Sequence, residues 1–152
     1  MRRQADPVTL RLHRKIAGDL FNYTWSLMDR KQRTADEDDE MLHAAHASRY
    51  HWGRVGRPLQ RSIGEWQISR VYSVLGRPEG ALYHGRRALE IARRGNLGPF
   101  YVAYAYEALA RGAALAHRPQ DHDRWLRAAR RIGGRVRSAD DRRMLLEDLT
   151  TV

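Results

Sequence analysis

The sequence predicts an all-α fold in which residues 1–152 form one domain of about seven helices. Apolar residues recur every three or four positions along almost the whole chain, which is the period of an amphipathic helix. No segment shows the alternation of apolar and polar residues that is typical of a half-buried strand. Short connections separate the helical segments, and helices joined in this way pack as antiparallel neighbours. Three helix hairpins and a terminal helix are therefore expected.

Helix boundaries follow from capping residues, prolines and glycines. The residues predicted to begin helices are Asp6 with Pro7, Thr34 with Glu37, Pro58 or Ser62 with Glu65, Pro78, Pro99, and Ser138 with Asp141. The residues predicted to end helices are Arg30, Gly53 with Gly56, Gly76, Arg94, and Gly95 to Gly98. A proline suits the first helical position because it has no N–H to leave unpaired, whereas Ser or Thr with Glu three residues later forms a capping box. Both signals precede the third helix, so its start is open between Pro58 and Ser62.

The stretch from residue 65 to 92 carries the clearest pattern, two amphipathic helices around a turn at Gly76. It resembles a tetratricopeptide (TPR) repeat, whose pattern is W-x2-L-G-x2-Y, then A-x3-F, then P. The positions that match are Ile68, Ser69, Tyr72, Gly76, Ala81 and Ala88, and those that depart are Glu65 for Trp, Gly85 for the aromatic residue and Arg93 for Pro. The resemblance implies a TPR-like superhelical array with a C-terminal capping helix.

An internal repeat of about 41 residues supports this resemblance. The residues that coincide at this spacing are Leu27, Ile68 and Leu109; Ala47, Ala88 and Ala129; and Tyr50, Ile91 and Ile132. Three units are the minimum that buries a continuous core in a repeat array, and the chain has room for three with the last helix as a cap. The competing interpretation is a plain helical bundle with one repeat-like hairpin. The fifth helix, apolar nearly all round and rich in alanine, is expected at the centre in either case.

Composition limits the function classes. The chain has no cysteine, so disulfides and thiolate metal sites are excluded, and no apolar run approaches the roughly 18 residues of a membrane span. The N-terminus lacks the apolar segment of a signal peptide, and we therefore expect a cytoplasmic protein. The net charge of +10 favours anionic partners.

The sequence does not predict an enzyme. No GxSxG motif and no glycine-rich phosphate loop occurs, and no cofactor is implied. His43 and His46 share a helix face with Asp39 and Tyr50, a pattern that could hold a divalent metal. An exposed histidine pair beside an acidic helix start is the plainer interpretation, and we predict no metal site.

Arginines at helical spacing form a stripe on the sixth helix: Arg124, Arg127, Arg131 and Arg135. The stripe is either a solvated face opposite Trp125 or a surface that binds phosphates or an acidic protein. It has no interleaved exposed aromatic residues, which argues against stacking on single-stranded bases. Binding of nucleic acid or another polyanion through this face is the alternative function.

The leading function comes from the resemblance. In TPR proteins the first helix of each hairpin lines a concave groove that receives peptides, commonly through basic and amide contacts to acidic groups. Carried onto this chain, the groove positions are Asn22, Trp25 and Asp29; Trp66, Arg70 and Ser73; and Tyr104, Glu107 and Arg111. Trp25 and Trp66 are equally typical of core residues. The resemblance thus implies a protein-interaction module whose partner is a peptide or protein, with acidic character favoured.

Overall fold

The structure is a computed structural model that describes residues 6–152. Those residues form seven α-helices and no strand, so the predicted all-α class is confirmed. The helices are α1 Pro7–Met28, α2 Ala35–Val55, α3 Pro58–Val74, α4 Pro78–Arg94, α5 Pro99–Leu115, α6 Pro119–Gly133 and α7 Ala139–Leu149. Among the helices of residues 6–152, none combines the length and the apolar character needed to cross a membrane.

Consecutive helices pack as antiparallel pairs, α1 with α2, α3 with α4 and α5 with α6, and the short α7 packs against α5 and α6. Each pair also contacts the next one, through α2 with α3 and through α4 with α5. The odd-numbered helices form a second series of contacts, α1 with α3, α3 with α5, and α5 with α7. The odd-numbered helices therefore lie side by side along the molecule.

Prolines and polar caps explain where the helices begin. All five prolines of the chain occupy the first position of a helix, where the missing N–H removes no helical hydrogen bond. The predicted capping box of Thr34 and Glu37 is present, and the N–H of Asp141 donates to Ser138 Oγ at 3.2 Å. The alternative start of α3 at Ser62 is wrong, because Ser62 is buried within the helix and its hydroxyl donates to the carbonyl oxygen of Ala88 at 3.0 Å.

The 41-residue repeat corresponds to equivalent core positions. Leu27, Ile68 and Leu109, on three successive odd-numbered helices, are each 1% exposed. Ala88 and Ala129 are both fully buried on α4 and α6. The first hairpin departs from this register, since Ala47 is only partly buried and Tyr50 is exposed, whereas Met41, Ala45 and Ser48 of α2 face inward.

The close approach of α4 and α5 explains a departure from the TPR pattern. Gly85 stands where the pattern has an aromatic residue, and a Cβ added there would lie 3.1 Å from a methyl group of Leu109. The same contact occurs with the helices exchanged: a Cβ added at Gly112 of α5 would lie 2.9 Å from Leu82 of α4. Each leucine therefore packs onto the glycine of the facing helix, and α5 fills the space that an aromatic side chain would need.

Gly76 ends α3 in the left-handed conformation, with a φ of 68°. Its Cβ position is open, so a substitution there tests backbone strain and not a clash. We expect Gly76→Val to lower the free energy of unfolding by more than about 1 kcal/mol, because a β-branched residue is strained at positive φ. Denaturant unfolding measures the change. An unchanged midpoint would contradict the assignment of the turn.

Candidate functional site

One face of α3 carries the side chains that the sequence places in a groove. Ile63, Trp66, Arg70 and Ser73 recur at the spacing of helical turns and lie on the same side of the helix. Residues of α1, α5 and α7 stand beside them. The face is apolar and aromatic toward the N-terminal end of α3 and basic toward its C-terminal end.

The apolar part is a pocket of about 340 Å³. Its lining residues are Trp25, Ser62, Ile63, Trp66, Ala88, Phe100, Tyr101, Tyr104, Met144 and Asp148. Trp66 contacts two other aromatic walls, with its ring centroid 5.7 Å from that of Trp25 and 5.5 Å from that of Tyr104, the latter edge to face. These ring distances fall in the range of favourable aromatic pairs. The pairs hold the walls of the pocket in place on three different helices.

A buried carboxylate, Glu107, lies behind the aromatic pocket. Its side chain is 2% exposed, and it accepts a hydrogen bond from the indole nitrogen of Trp66 at 3.1 Å. Arg111 Nε also donates to it, and Arg70 Nη1 lies 3.7 Å from Oε1. Glu107 therefore positions Trp66 and two guanidinium groups around one negative charge, and it does not itself face an incoming partner.

Arg111 forms hydrogen bonds with the C-terminal part of the chain. Besides Glu107, its guanidinium donates to the carbonyl oxygens of Asp148 and Thr151 at 3.1 and 3.2 Å. Tyr104 makes a parallel connection, with its hydroxyl donating to Asp148 Oδ2 at 2.6 Å. Burial raises the pKa of the Tyr104 hydroxyl far above its ordinary value, and the hydrogen bond to Asp148 raises it further. The side chains of Tyr104 and Arg111 on α5 thus hold α7 against α5 through hydrogen bonds.

Arg70 is more exposed to solvent than Arg111, and fewer of its donors are used within the protein. Its side chain is 30% exposed, and its ion pair with Glu107 is long at 3.7 Å. It lines an open depression of about 500 Å³ together with Ser73, Arg111 and His117. Burial and the nearby Arg111 lower the pKa of Arg70 from its ordinary value, but an arginine remains protonated at neutral pH. The basic end of the face therefore presents a guanidinium group beside an aromatic pocket.

The structure brings most of the groove residues named from the sequence together. Trp25, Trp66 and Tyr104 line the aromatic pocket, and Arg70, Ser73 and Arg111 line the basic depression. Asn22 on α1 and Asp29, which caps the C-terminal end of α1, are exposed and do not line either cavity.

The sequence did not assign seven further lining residues to the groove: Ser62, Ile63, Ala88, Phe100, Tyr101, Met144 and Asp148. Phe100 and Tyr101 lie one turn before Tyr104, a spacing that would have placed them on the same face of α5. The position of α7, which brings Met144 and Asp148 to the pocket, has no comparable local signal.

A second polar cluster lies between α2, α3 and α4 and accounts for Glu65, which stands where the TPR pattern has tryptophan. The Glu65 carboxylate accepts from Arg49 Nε at 2.9 Å and lies 2.6 Å from His84 Nδ1. Burial alone would raise the pKa of Glu65, but the hydrogen bond from His84 and the charge of Arg49 hold the pKa below its ordinary value. The ring of His84 stacks on that of Tyr72 at 5.5 Å. The cluster joins three helices through polar contacts.

The histidine pair on α2 is divided between two environments. His43 is exposed, whereas the Nε2 of His46 lies 3.2 Å from the hydroxyl of Tyr72. Burial and the neighbouring His84 lower the pKa of His46. In the part of the chain that the structure describes, no group of three or more His, Cys, Asp or Glu side chains is arranged to hold a metal ion.

Comparison with protein-family models, curated proteins and solved structures gives no match. Function must therefore be inferred from the site itself.

Proposed function

We propose that the protein is a TPR-like interaction module that binds a peptide segment of a partner protein without catalysing a reaction. The bound segment would carry a large apolar side chain and a nearby carboxylate. The aromatic pocket beside Arg70 is the observation that carries this proposal.

The order of helix contacts supports a TPR-like arrangement of the helix pairs. In a stacked repeat array each unit contacts only its neighbours, and each helix pair here contacts the next one, through α2 with α3 and through α4 with α5. The odd-numbered helices α1, α3, α5 and α7 also contact one another in order. The equivalent burial of Leu27, Ile68 and Leu109 supports the same register.

The chemistry of the groove selects the ligand. Apolar and aromatic walls favour a bulky hydrophobic side chain, because its transfer from water contributes about 2 kcal/mol when it is fully buried. Arg70 lies one helical turn after Trp66 and offers a forked donor that matches a carboxylate. Tryptophan, tyrosine and arginine are also the residue types that most often dominate binding interfaces.

The spacing of the two subsites sets the spacing of the ligand groups. Side chains four apart on a helix lie about 6 Å from each other. An extended peptide rises about 3.3 Å per residue. The carboxylate of the ligand is therefore expected about two residues from its apolar anchor.

Selection from a random-peptide display library tests the proposal. We expect enriched peptides to share an apolar anchor with Asp or Glu about two residues away. Arg70→Ala should weaken the binding of such a peptide by about 2 kcal/mol, a factor of about 30 in Kd. Calorimetric titration measures this loss. The thermal midpoint should change little, because Glu107 keeps its closer hydrogen bonds from Trp66 and Arg111 when the 3.7 Å contact with Arg70 is removed.

Arg86→Ala is the matched control, since Arg86 is exposed on α4 and lines neither cavity. The control should leave the affinity unchanged. The proposal fails if the selected peptides share no anchor and carboxylate. It also fails if Arg70→Ala destabilises the fold and leaves peptide affinity intact, because Arg70 would then be a structural partner of Glu107.

A further inference from the structure

The basic charge of the chain is distributed unevenly. Residues 6–56 carry eight basic and eight acidic side chains, so the first hairpin is electrically balanced. The segment from Arg118 to Arg137 instead holds seven arginines and two aspartates. This segment of twenty residues, on and around α6, therefore has a net charge of +5, half of the +10 of the whole chain.

The arginines on α6 and beside it, here called the α6 arginines, are exposed and largely unneutralised. Arg118 precedes the helix, and Arg135 and Arg137 follow its last residue, Gly133. The exposed set is Arg118, Arg124, Arg127, Arg130, Arg131, Arg135 and Arg137. Arg124 pairs with Asp121 at 3.1 Å, and within the described residues no carboxylate lies within ion-pair distance of the other six. Elsewhere, arginines such as Arg33 and Arg49 are paired with carboxylates at 2.6 and 2.9 Å. The α6 arginines thus keep their donors free for an external anion.

These arginines border two adjacent depressions. The first, of about 670 Å³, is lined by Tyr106, Trp125, Ala128 and the arginines Arg124, Arg127, Arg130 and Arg131. The second, of about 740 Å³, includes Arg93, Arg135 and Arg137. Arg93 of α4 connects them, since its guanidinium hydrogen-bonds the hydroxyl of Tyr106 and lies 5.5 Å from the centre of that ring. The basic surface therefore extends from α6 to the end of α4.

We propose that this arginine surface binds the phosphate backbone of duplex nucleic acid. A row of guanidinium groups one helical turn apart suits a ligand with closely and regularly spaced charges, and a duplex carries one charge per about 1.7 Å of its axis. Single-stranded binders add exposed aromatic side chains for base stacking. Within residues 6–152 the exposed large apolar side chains lie outside α6, and Tyr106 is 8% exposed. The surface therefore favours backbone contacts over stacking.

Charge reversal at two central positions tests the inference. We expect Arg127→Glu combined with Arg131→Glu to weaken binding of a mixed-sequence DNA duplex at low salt by at least tenfold. The slope of log affinity against log salt should become shallower by about two, since each phosphate contact contributes about 0.9. Parallel measurements with duplex RNA, single-stranded DNA and polyglutamate define which polyanion is bound. Circular dichroism and the thermal midpoint report whether the variant remains folded.

The matched control reverses the same number of charges on α1, at the exposed residues Arg11 and Arg14. It should retain most of the duplex affinity, because it changes the net charge without touching the α6 surface. The inference is overturned if the unmodified protein does not bind a duplex at low salt, or if the control loses as much affinity as the α6 variant. It is also overturned if single-stranded DNA or polyglutamate binds more tightly than either duplex. Tighter binding of single-stranded DNA would indicate base stacking, and tighter binding of polyglutamate would indicate recognition of carboxylates.

Discussion

We expect Glu107→Ala to lower the free energy of unfolding by about 3 kcal/mol, because removal of one partner from a buried ion pair leaves the other charges uncompensated. Glu107 is 2% exposed and is contacted by Trp66, Arg111 and Arg70. Its removal leaves the indole N–H and the Nε of Arg111 without an acceptor in a buried position. Equilibrium unfolding in urea measures the loss, and the indole N–H resonance of Trp66 should report the local change.

Glu147→Ala is the control, because Glu147 is an exposed carboxylate on α7. It should change stability by no more than about 0.5 kcal/mol. Equal effects of the two substitutions would show that Glu107 is solvated, and the arrangement of Trp66 and Arg70 around it would then be incorrect.

The second large effect concerns the contact between α4 and α5. Gly85→Phe, which introduces an aromatic residue at the position where the TPR pattern has one, should destabilise the protein by at least about 3 kcal/mol. The added ring has no room, because a Cβ at position 85 already meets Leu109 at 3.1 Å and the backbone nitrogen of Leu109 at 3.4 Å. Thermal and urea unfolding both measure the change.

Gly18→Ala provides the opposite control. Gly18 lies within α1, and nothing lies within 4 Å of its Cβ position. Alanine there should stabilise the protein by roughly 0.5–1 kcal/mol, since glycine is a poor residue for a helix interior. A neutral or stabilising Gly85→Phe would mean that α4 and α5 lie further apart than described.

Most of the fold follows from signals local in the sequence. Proline at the first helical position and a left-handed residue after the last one are properties of a few consecutive residues, so the bounds of α4 and the turn at Gly76 could be predicted. The start of α3 was ambiguous because Ser62 and Glu65 resemble a capping box. Both are in fact buried, and tertiary contacts with Ala88, Arg49 and His84 use their polar atoms.

The site could be predicted only in part. The resemblance assigns Trp25 and Trp66 to the groove, and their ring centroids are 5.7 Å apart. It does not show that Glu107 of α5 is buried while Arg70 of α3, 3.7 Å from it, is partly exposed. That difference depends on how α7 covers α5, a long-range contact set by Tyr104 with Asp148 and by Arg111 with Thr151.

The two proposed surfaces are separate, so their tests are independent. The aromatic pocket is lined mainly by residues of odd-numbered helices, and Arg70 lies on α3, whereas the arginine surface is formed by α6, its flanking residues and the end of α4. Loss of duplex binding in the α6 variant should leave peptide affinity unchanged, and Arg70→Ala should leave duplex affinity unchanged. A protein with both activities would bring a peptide-bearing partner to a nucleic acid.

The indole N–H signals of the four tryptophans offer the most direct measurement of the peptide-binding claim. Trp25 and Trp66 line the aromatic pocket, Trp125 borders the arginine surface, and Trp52 lies on α2 away from both. Titration of nitrogen-15-labelled protein with a display-selected peptide should shift the signals of Trp25 and Trp66 and leave those of Trp52 and Trp125 in place. Shifts at Trp125 with none at Trp25 and Trp66 would contradict the proposed groove.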